Sequence, residues 1–175
     1  MTLLQSIVLG IIQGLTEFLP ISSSAHLVIA PYLLGWDFTE QAEFIFDVLV
    51  QSGTLIAVLA YFWRDLVSIA RAFVLGLWYK KPFANPEARM GWMLIIASIP
   101  AALGGIWFKD AVEKAFSSPL ATSLFLILTA GFLVAAERLG KRTRQLEQLT
   151  GLDALVIGVF QAVSLFPGVS RSGST

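Results

Sequence analysis

The chain contains no cysteine and a single histidine, and only 14% of its 175 residues are charged. Without thiols there is no disulfide framework and no thiolate to act as nucleophile or metal ligand. Twelve basic residues balance twelve acidic ones, so no bulk field draws in nucleic acid or another anionic polymer, and no nucleic-acid partner is expected. Charge this sparse also excludes an ordinary water-soluble domain, in which roughly a quarter of residues are charged. What remains is oil: 56% of the residues are hydrophobic. Residues 91–108 and 119–136 each run 18 positions without a formal charge, near the length that crosses a hydrocarbon core of about 30 Å. Residues 48–63 form a third, shorter candidate span marked by Gln51, Ser52 and Thr54.

The remaining signal is a repeat. Residues 8–27 read VLGIIQGLTEFLPISSSAHL and residues 156–175 read VIGVFQAVSLFPGVSRSGST. At an offset of 148, without a gap, Val8/Val156, Gly10/Gly158, Gln13/Gln161, Phe18/Phe166, Ser22/Ser170 and Ser24/Ser172 are identical. Each copy is a short apolar helix that breaks at a proline and continues as a serine-rich segment. One copy carries Glu17 and His26, the other Arg171. Hydroxyls, a carboxylate and a guanidinium at matching breaks point to one shared site at membrane depth.

The predicted fold class is all-α: one integral membrane domain over residues 1–175, a polytopic helical bundle with inverted-topology repeats. Residues 3–35 form a first re-entrant hairpin, tolerated only where protein or a watery cavity surrounds the break. Spans follow at 48–63, 91–108 and 119–136, and residues 153–175 start a second hairpin, cut off at the C-terminus. Residues 37–46 read as an amphipathic interfacial stretch. The second motif has no helix after it and the first residues carry no secretory leader, so the chain is expected to be mature from Met1 and part of a longer protein. Basic residues set the orientation. Arg64, Arg71, Lys80, Lys81 and Arg89 lie in one loop, and Arg138, Lys141, Arg142 and Arg144 in another two spans away. Both are expected on the cytoplasmic side, with the balanced loop 109–114 and residues 37–47 outside. Trp63, Trp78, Trp92 and Trp107 fall near span ends, as an aromatic belt does.

Gln13 and Glu17, spaced i and i+4, share a helix face. A carboxylate in lipid must be paired, coordinated or protonated, which makes Glu17 a candidate acid/base, a candidate metal ligand, or a structural hydrogen-bonding group that holds the hairpin. Ser22, Ser23 and Ser24 follow the proline, with His26 just beyond. Such serines cap helices, and a hydroxyl beside a base is also a nucleophile. Ser23, His26 and a water remain open as the attacking group. Arg171, between Ser170 and Ser172, has the planar fork that suits phosphate; the plainer reading is a salt bridge to Glu17. Asp47 is either a metal ligand or an interfacial charge.

The stretches QGLTEFLPISSSAH and PGVSRSGST resemble the two signature motifs of the bacterial undecaprenyl-diphosphate phosphatase family of the bacitracin-resistance type. FDVLVQSGTLIAVLAYFWR resembles that family's third segment. The resemblance implies a multi-pass enzyme of the bacterial plasma membrane that removes the terminal phosphate of a polyprenyl diphosphate and so recycles the carrier lipid of cell-wall synthesis. It implies Glu17, Ser23, His26 and Arg171 as catalytic residues, and Gln13, Ser22, Ser24, Ser170, Ser172 and Thr175 as substrate-binding. Gln13 is the glutamine form of the family's acidic motif, so one carboxylate stands where two could. The resemblance also implies a divalent metal, magnesium or calcium, with Glu17 as a ligand. The expected partners are the lipid substrate and the bilayer, with a homodimer left open, and the site is expected to open outside the cytoplasm. A transporter or lipid flippase is the competing reading, because inverted repeats with broken helices also build transporters. A scaffold without chemistry is disfavoured by the twin polar breaks.

Overall fold

The computed structural model describes residues 1–83, 85–140 and 145–174. Among them there is no strand, and the helices run α1 Leu3–Thr16, α2 Ser23–Leu34, α3 Glu40–Tyr61, α4 Trp63–Trp78, α5 Pro86–Trp107, α6 Lys109–Phe116, α7 Pro119–Leu139, α8 Gly151–Val163 and α9 Arg171–Ser174. A 3₁₀ turn, Leu146–Gln148, precedes α8. Most starts are written locally. Thr2 caps α1 in a capping box with Gln5, and Thr150 does the same for α8 with Asp153. Asn85 and Ser118 cap α5 and α7, each followed by proline at the first helical position, where its missing N–H is harmless.

α3, α5 and α7 are long and apolar enough to cross a membrane. Only 6% of the most apolar window of α3 and 11% of those of α5 and α7 are buried. Leu120, Ile127, Ile106 and Ile56 stand largely exposed. An oily surface on this scale is costly in water and neutral in hydrocarbon. The fold is that of a polytopic helical membrane protein. α1 and α2, with 14 and 12 residues, reach only about 21 and 18 Å at 1.5 Å per residue, too little to cross alone.

Three sequence expectations change in detail. The helix expected from Val48 begins at Glu40, so most of the stretch read as interfacial is the first turns of α3. Asp47 is why the sequence misleads: a charge that looks like a boundary is in fact buried within the helix. That helix ends at Tyr61, and Trp63 opens α4 instead of closing α3. The balanced loop at 109–114 is the helix α6. Lys141, Arg142 and Arg144, used to orient the chain, lie outside the described residues.

α8 packs along α5 through small residues. A β-carbon on Gly158 would lie 2.4 Å from the Ala97 carbonyl oxygen and 2.9 Å from Pro100 Cδ, and one on Gly104 would lie 3.2 Å from Ala162 Cβ. Only glycine allows two helices this close. This seam leads into the second break, and α7 receives that break from the other side. The Thr129 hydroxyl donates to the Gly168 carbonyl at 2.9 Å and accepts from the Ser170 N–H at 3.1 Å.

Candidate active site

The first break is made by the chain itself. α1 ends where the Glu17 N–H reaches the Gln13 carbonyl at 2.9 Å, and Pro20 prevents continuation. Ser22 then adopts φ 62° and ψ 94°, a left-handed conformation that costs a non-glycine residue about 1–3 kcal/mol. Its hydroxyl caps α2 by accepting from the Ala25 N–H, which offsets part of that strain. The twist leaves Ser23 as the first residue of α2 with its side chain turned back toward Glu17. In the second copy Gly168 takes the left-handed turn at φ 100°. The Ser170 hydroxyl accepts from the Gly173 N–H at 3.3 Å.

The two breaks have the same local chemistry. Ser22 and Ser24 join their hydroxyls at 3.2 Å, and so do Ser170 and Ser172. The residue between each pair is the one that differs: Ser23 in one copy, Arg171 in the other. Both converge on one carboxylate. The Ser23 hydroxyl donates to Glu17 Oε2 at 2.5 Å, and Arg171 Nη2 donates to Glu17 Oε1 at 2.6 Å. Gln13 Nε2 adds a third donor, 2.9 Å from Oε2. The copies are tied directly as well. The Ser172 hydroxyl donates to the Leu19 carbonyl at 3.0 Å, and the Gly168 N–H donates to the Ser24 hydroxyl at 3.4 Å.

Between the breaks lies a small polar cavity of about 110 Å³, walled by Glu17, Ser22, Ser23, Ser24, Ser170 and Arg171 among others. At roughly 30 Å³ per water molecule in the liquid, that is room for about three to four waters, or one phosphoryl group. Glu17 is mostly buried while the Arg171 side chain is 46% exposed, so the guanidinium stands at the mouth and the carboxylate behind it. The N-terminus of α2 opens onto the same cavity, and helix N-termini favour anions. A cation at the mouth, hydroxyls around the wall and a helix start beneath suit an oxyanion with a proton acceptor alongside.

Over residues 6–175 the sequence matches the family described as Bacitracin resistance protein BacA. The chain belongs to the BacA family. Among curated BacA-like relatives, proteins named Undecaprenyl-diphosphatase from Thermomicrobium roseum and Chlorobaculum parvum are each 48% identical to it, and one from Moorella thermoacetica is 45% identical. Each similarity covers all of this chain and 64% of the relative's length.

Of the BacA-type site residues expected from sequence, the structure brings Gln13, Glu17, Ser23 and Arg171 into one hydrogen-bonded group, with Ser22, Ser24, Ser170 and Ser172 around it. His26 is held differently. Its Nδ1 lies 2.8 Å from the Ser22 carbonyl, which only accepts, so Nδ1 carries the proton and Nε2 is the basic nitrogen. Among the described residues no hydrogen bond joins His26 to Glu17 or Ser23. Thr175 lies outside the described residues. Sequence reasoning left Gln51 and Thr54 of α3 out of the site. Gln51 Oε1 accepts from Arg171 Nη2 at 3.4 Å, and Thr54 Oγ1 accepts from Gln13 Nε2 at 3.4 Å. Their i, i+3 spacing on α3 was the signal available.

The described residues offer a divalent cation few ready ligands of their own. No three His, Cys, Asp or Glu residues among them come together, and both Glu17 oxygens already accept from Ser23, Gln13 or Arg171. Hard cations held by protein alone want six or more oxygens.

Proposed function

We propose that this site hydrolyses the terminal phosphoanhydride of a polyprenyl diphosphate in a bacterial plasma membrane, undecaprenyl diphosphate being the substrate that the relatives' names suggest. The observation that carries the reading is the convergence of Ser23 and Arg171, equivalent positions of two repeats, on the two oxygens of Glu17. The terminal phosphate enters the cavity and draws the Arg171 fork from Glu17 onto its own oxygens, a charge-assisted, bidentate contact. Glu17 is then the acceptor for the Ser23 proton. Ser23 Oγ bonds to the terminal phosphorus, the P–O bond to the bridging oxygen breaks, and Glu17 hands the proton to the departing polyprenyl phosphate. In the second step a water attacks the phosphoserine, its proton passes through Glu17 to Ser23 Oγ, and inorganic phosphate leaves. The balance is one diphosphate and one water in, one monophosphate and one phosphate out.

Such a site needs positioning and charge compensation more than covalent elaboration, as phosphoryl transfer generally does. By the positive-inside rule the basic residues between Arg64 and Arg89 favour the cytoplasmic side, which supports a site open to the other face, where spent carrier lipid would be recycled. Ser23→Ala and Glu17→Gln are each expected to cut phosphate release from farnesyl diphosphate by the full-length protein about 10²–10⁴-fold, the usual worth of a proton-transfer partner. Unchanged release by both variants removes the assignment, and lipid movement by the wild type with no phosphate release turns the protein into a transporter.

No step here runs through a metal. A divalent cation belongs to the proposal only as a counter-ion of the diphosphate, since magnesium takes one or two carboxylates plus substrate phosphates and keeps its waters. Phosphate release is therefore expected to fall in chelator and to return with added magnesium or calcium; full activity in chelator removes the cation from the scheme.

A further inference from the structure

A second cavity of about 330 Å³ lies on the far side of the Glu17–Arg171 pair, along α3. Glu17, Gln51 and Arg171 line both it and the serine-walled cavity, so the ion pair is a partition between them. The two spaces differ in chemistry. The first is ringed by hydroxyls; the second runs along Val48, Leu55 and Val58. Its polar side chains do not contradict this. The Ser52 hydroxyl donates to the Val48 carbonyl and the Thr54 hydroxyl to the Gln51 carbonyl, at 3.3 and 2.9 Å, so both donors are spent on the helix's own backbone. α3 is a membrane-length helix whose apolar residues are largely uncovered, Leu55 being 56% and Val48 51% exposed. The groove is therefore apolar along its α3 wall.

We infer that this groove seats the first isoprenoid units of the substrate, so that the prenyl chain leaves the site along α3 while the terminal phosphate occupies the serine cavity. The inference rests on the diphosphatase reading and deepens it. An occupant must be anionic at one end, where Arg171 stands, and apolar immediately beyond, where Leu55 and Val58 stand. A prenyl diphosphate has that order of groups, with its bridging oxygen falling at the partition. The volume is at the lower end of the range for small-molecule pockets, which suits a few isoprenoid units with the rest of the tail in lipid. Selectivity for long prenyl diphosphates over short ones then comes from α3, not from the serine motifs.

The test compares farnesyl diphosphate with isopentenyl diphosphate as substrates of the full-length protein in detergent, for wild type, Leu55→Trp and Val58→Trp. Ile56→Trp, on a part of α3 that does not line the groove, is the control. The groove predicts that either wedge lowers the kcat/KM preference for farnesyl over isopentenyl diphosphate at least tenfold, chiefly through KM, while Ile56→Trp leaves it within twofold. Equal losses on both substrates, or no loss, overturn the groove and leave the hydrolase reading standing. No phosphate release from either substrate by wild type overturns both. Should the wedges fail to fold, a farnesyl diphosphate analogue bearing a diazirine on its second isoprenoid unit decides the matter on wild-type protein. Crosslinks within residues 48–58 support the groove, and crosslinks confined to other helices overturn it.

Discussion

Arg171→Ala is expected to lower phosphate release from farnesyl diphosphate by about 10³-fold or more, with the larger part of the loss in kcat. Removing one preorganised donor from developing charge costs roughly 10²–10³, and losing a guanidinium at a transferring phosphoryl group costs about 10³–10⁵. Arg171→Lys should fall in between, because lysine keeps the charge but not the planar fork. Alanine also leaves the Glu17 carboxylate without its 2.6 Å counter-charge. Since Arg171 is half exposed, the stability loss should lie between the ~0–1 kcal/mol of a surface pair and the ~3–5 kcal/mol of breaking a buried one. Pairing Arg171→Met with Glu17→Gln removes both charges, so it should restore the melting temperature and not the activity. A wild-type rate from Arg171→Ala would remove the phosphate role of the arginine, whatever its effect on melting.

The second large effect is on folding. Gly168→Ala places a β-carbon 2.3 Å from the Thr122 carbonyl oxygen and 2.8 Å from Phe125 Cβ, at a φ of 100°. Left-handed strain contributes about 1–3 kcal/mol and forced overpacking a similar amount, so a destabilisation of about 2–6 kcal/mol is expected in thermal unfolding. Relief requires the break to move off α7, which loosens Thr129 from Gly168 and Ser170 and shifts Arg171 with them. A misplacement near 1 Å at a catalytic group costs about 10²-fold, so activity should fall even where folded protein is recovered. Gly10→Ala is the control. No atom lies within 4 Å of its β-carbon, and alanine is the better helix former by about 1 kcal/mol. Equal melting temperatures for the two variants would show that the second break is not wedged against α7.

The site was legible because its two halves are local. A proline and a serine cluster after an apolar helix mark each break, and the repeat announces that the two belong together. Glu17, Ser23 and Arg171 could be read as partners for that reason, and their convergence on one carboxylate is what the fold adds. Residues that support the breaks from elsewhere could not be read. Thr129 holds the second break through its side chain, yet in sequence it is one threonine among apolar residues of α7, where a hydroxyl normally returns to its own helix. Asp47 made α3 look as though it began eight residues later than it does. Gln51 and Thr54 looked like blemishes in a weak span when they accept hydrogen bonds from Arg171 and Gln13. What the motif could not show for His26 is its anchoring: the left-handed turn at Ser22 gives its Nδ1 a carbonyl to bind.

Glu17 and Arg171 are 154 residues apart in sequence, and this separation bears on biogenesis. At about 5–20 residues per second of synthesis, the ribosome releases Glu17 roughly 8–30 seconds before Arg171 exists. For that interval the nascent first hairpin must shelter its carboxylate with what it already carries, the Gln13 amide and the Ser23 hydroxyl. The glutamine in place of a second acid at position 13 spares the newborn hairpin a repulsion it has no cation to quench.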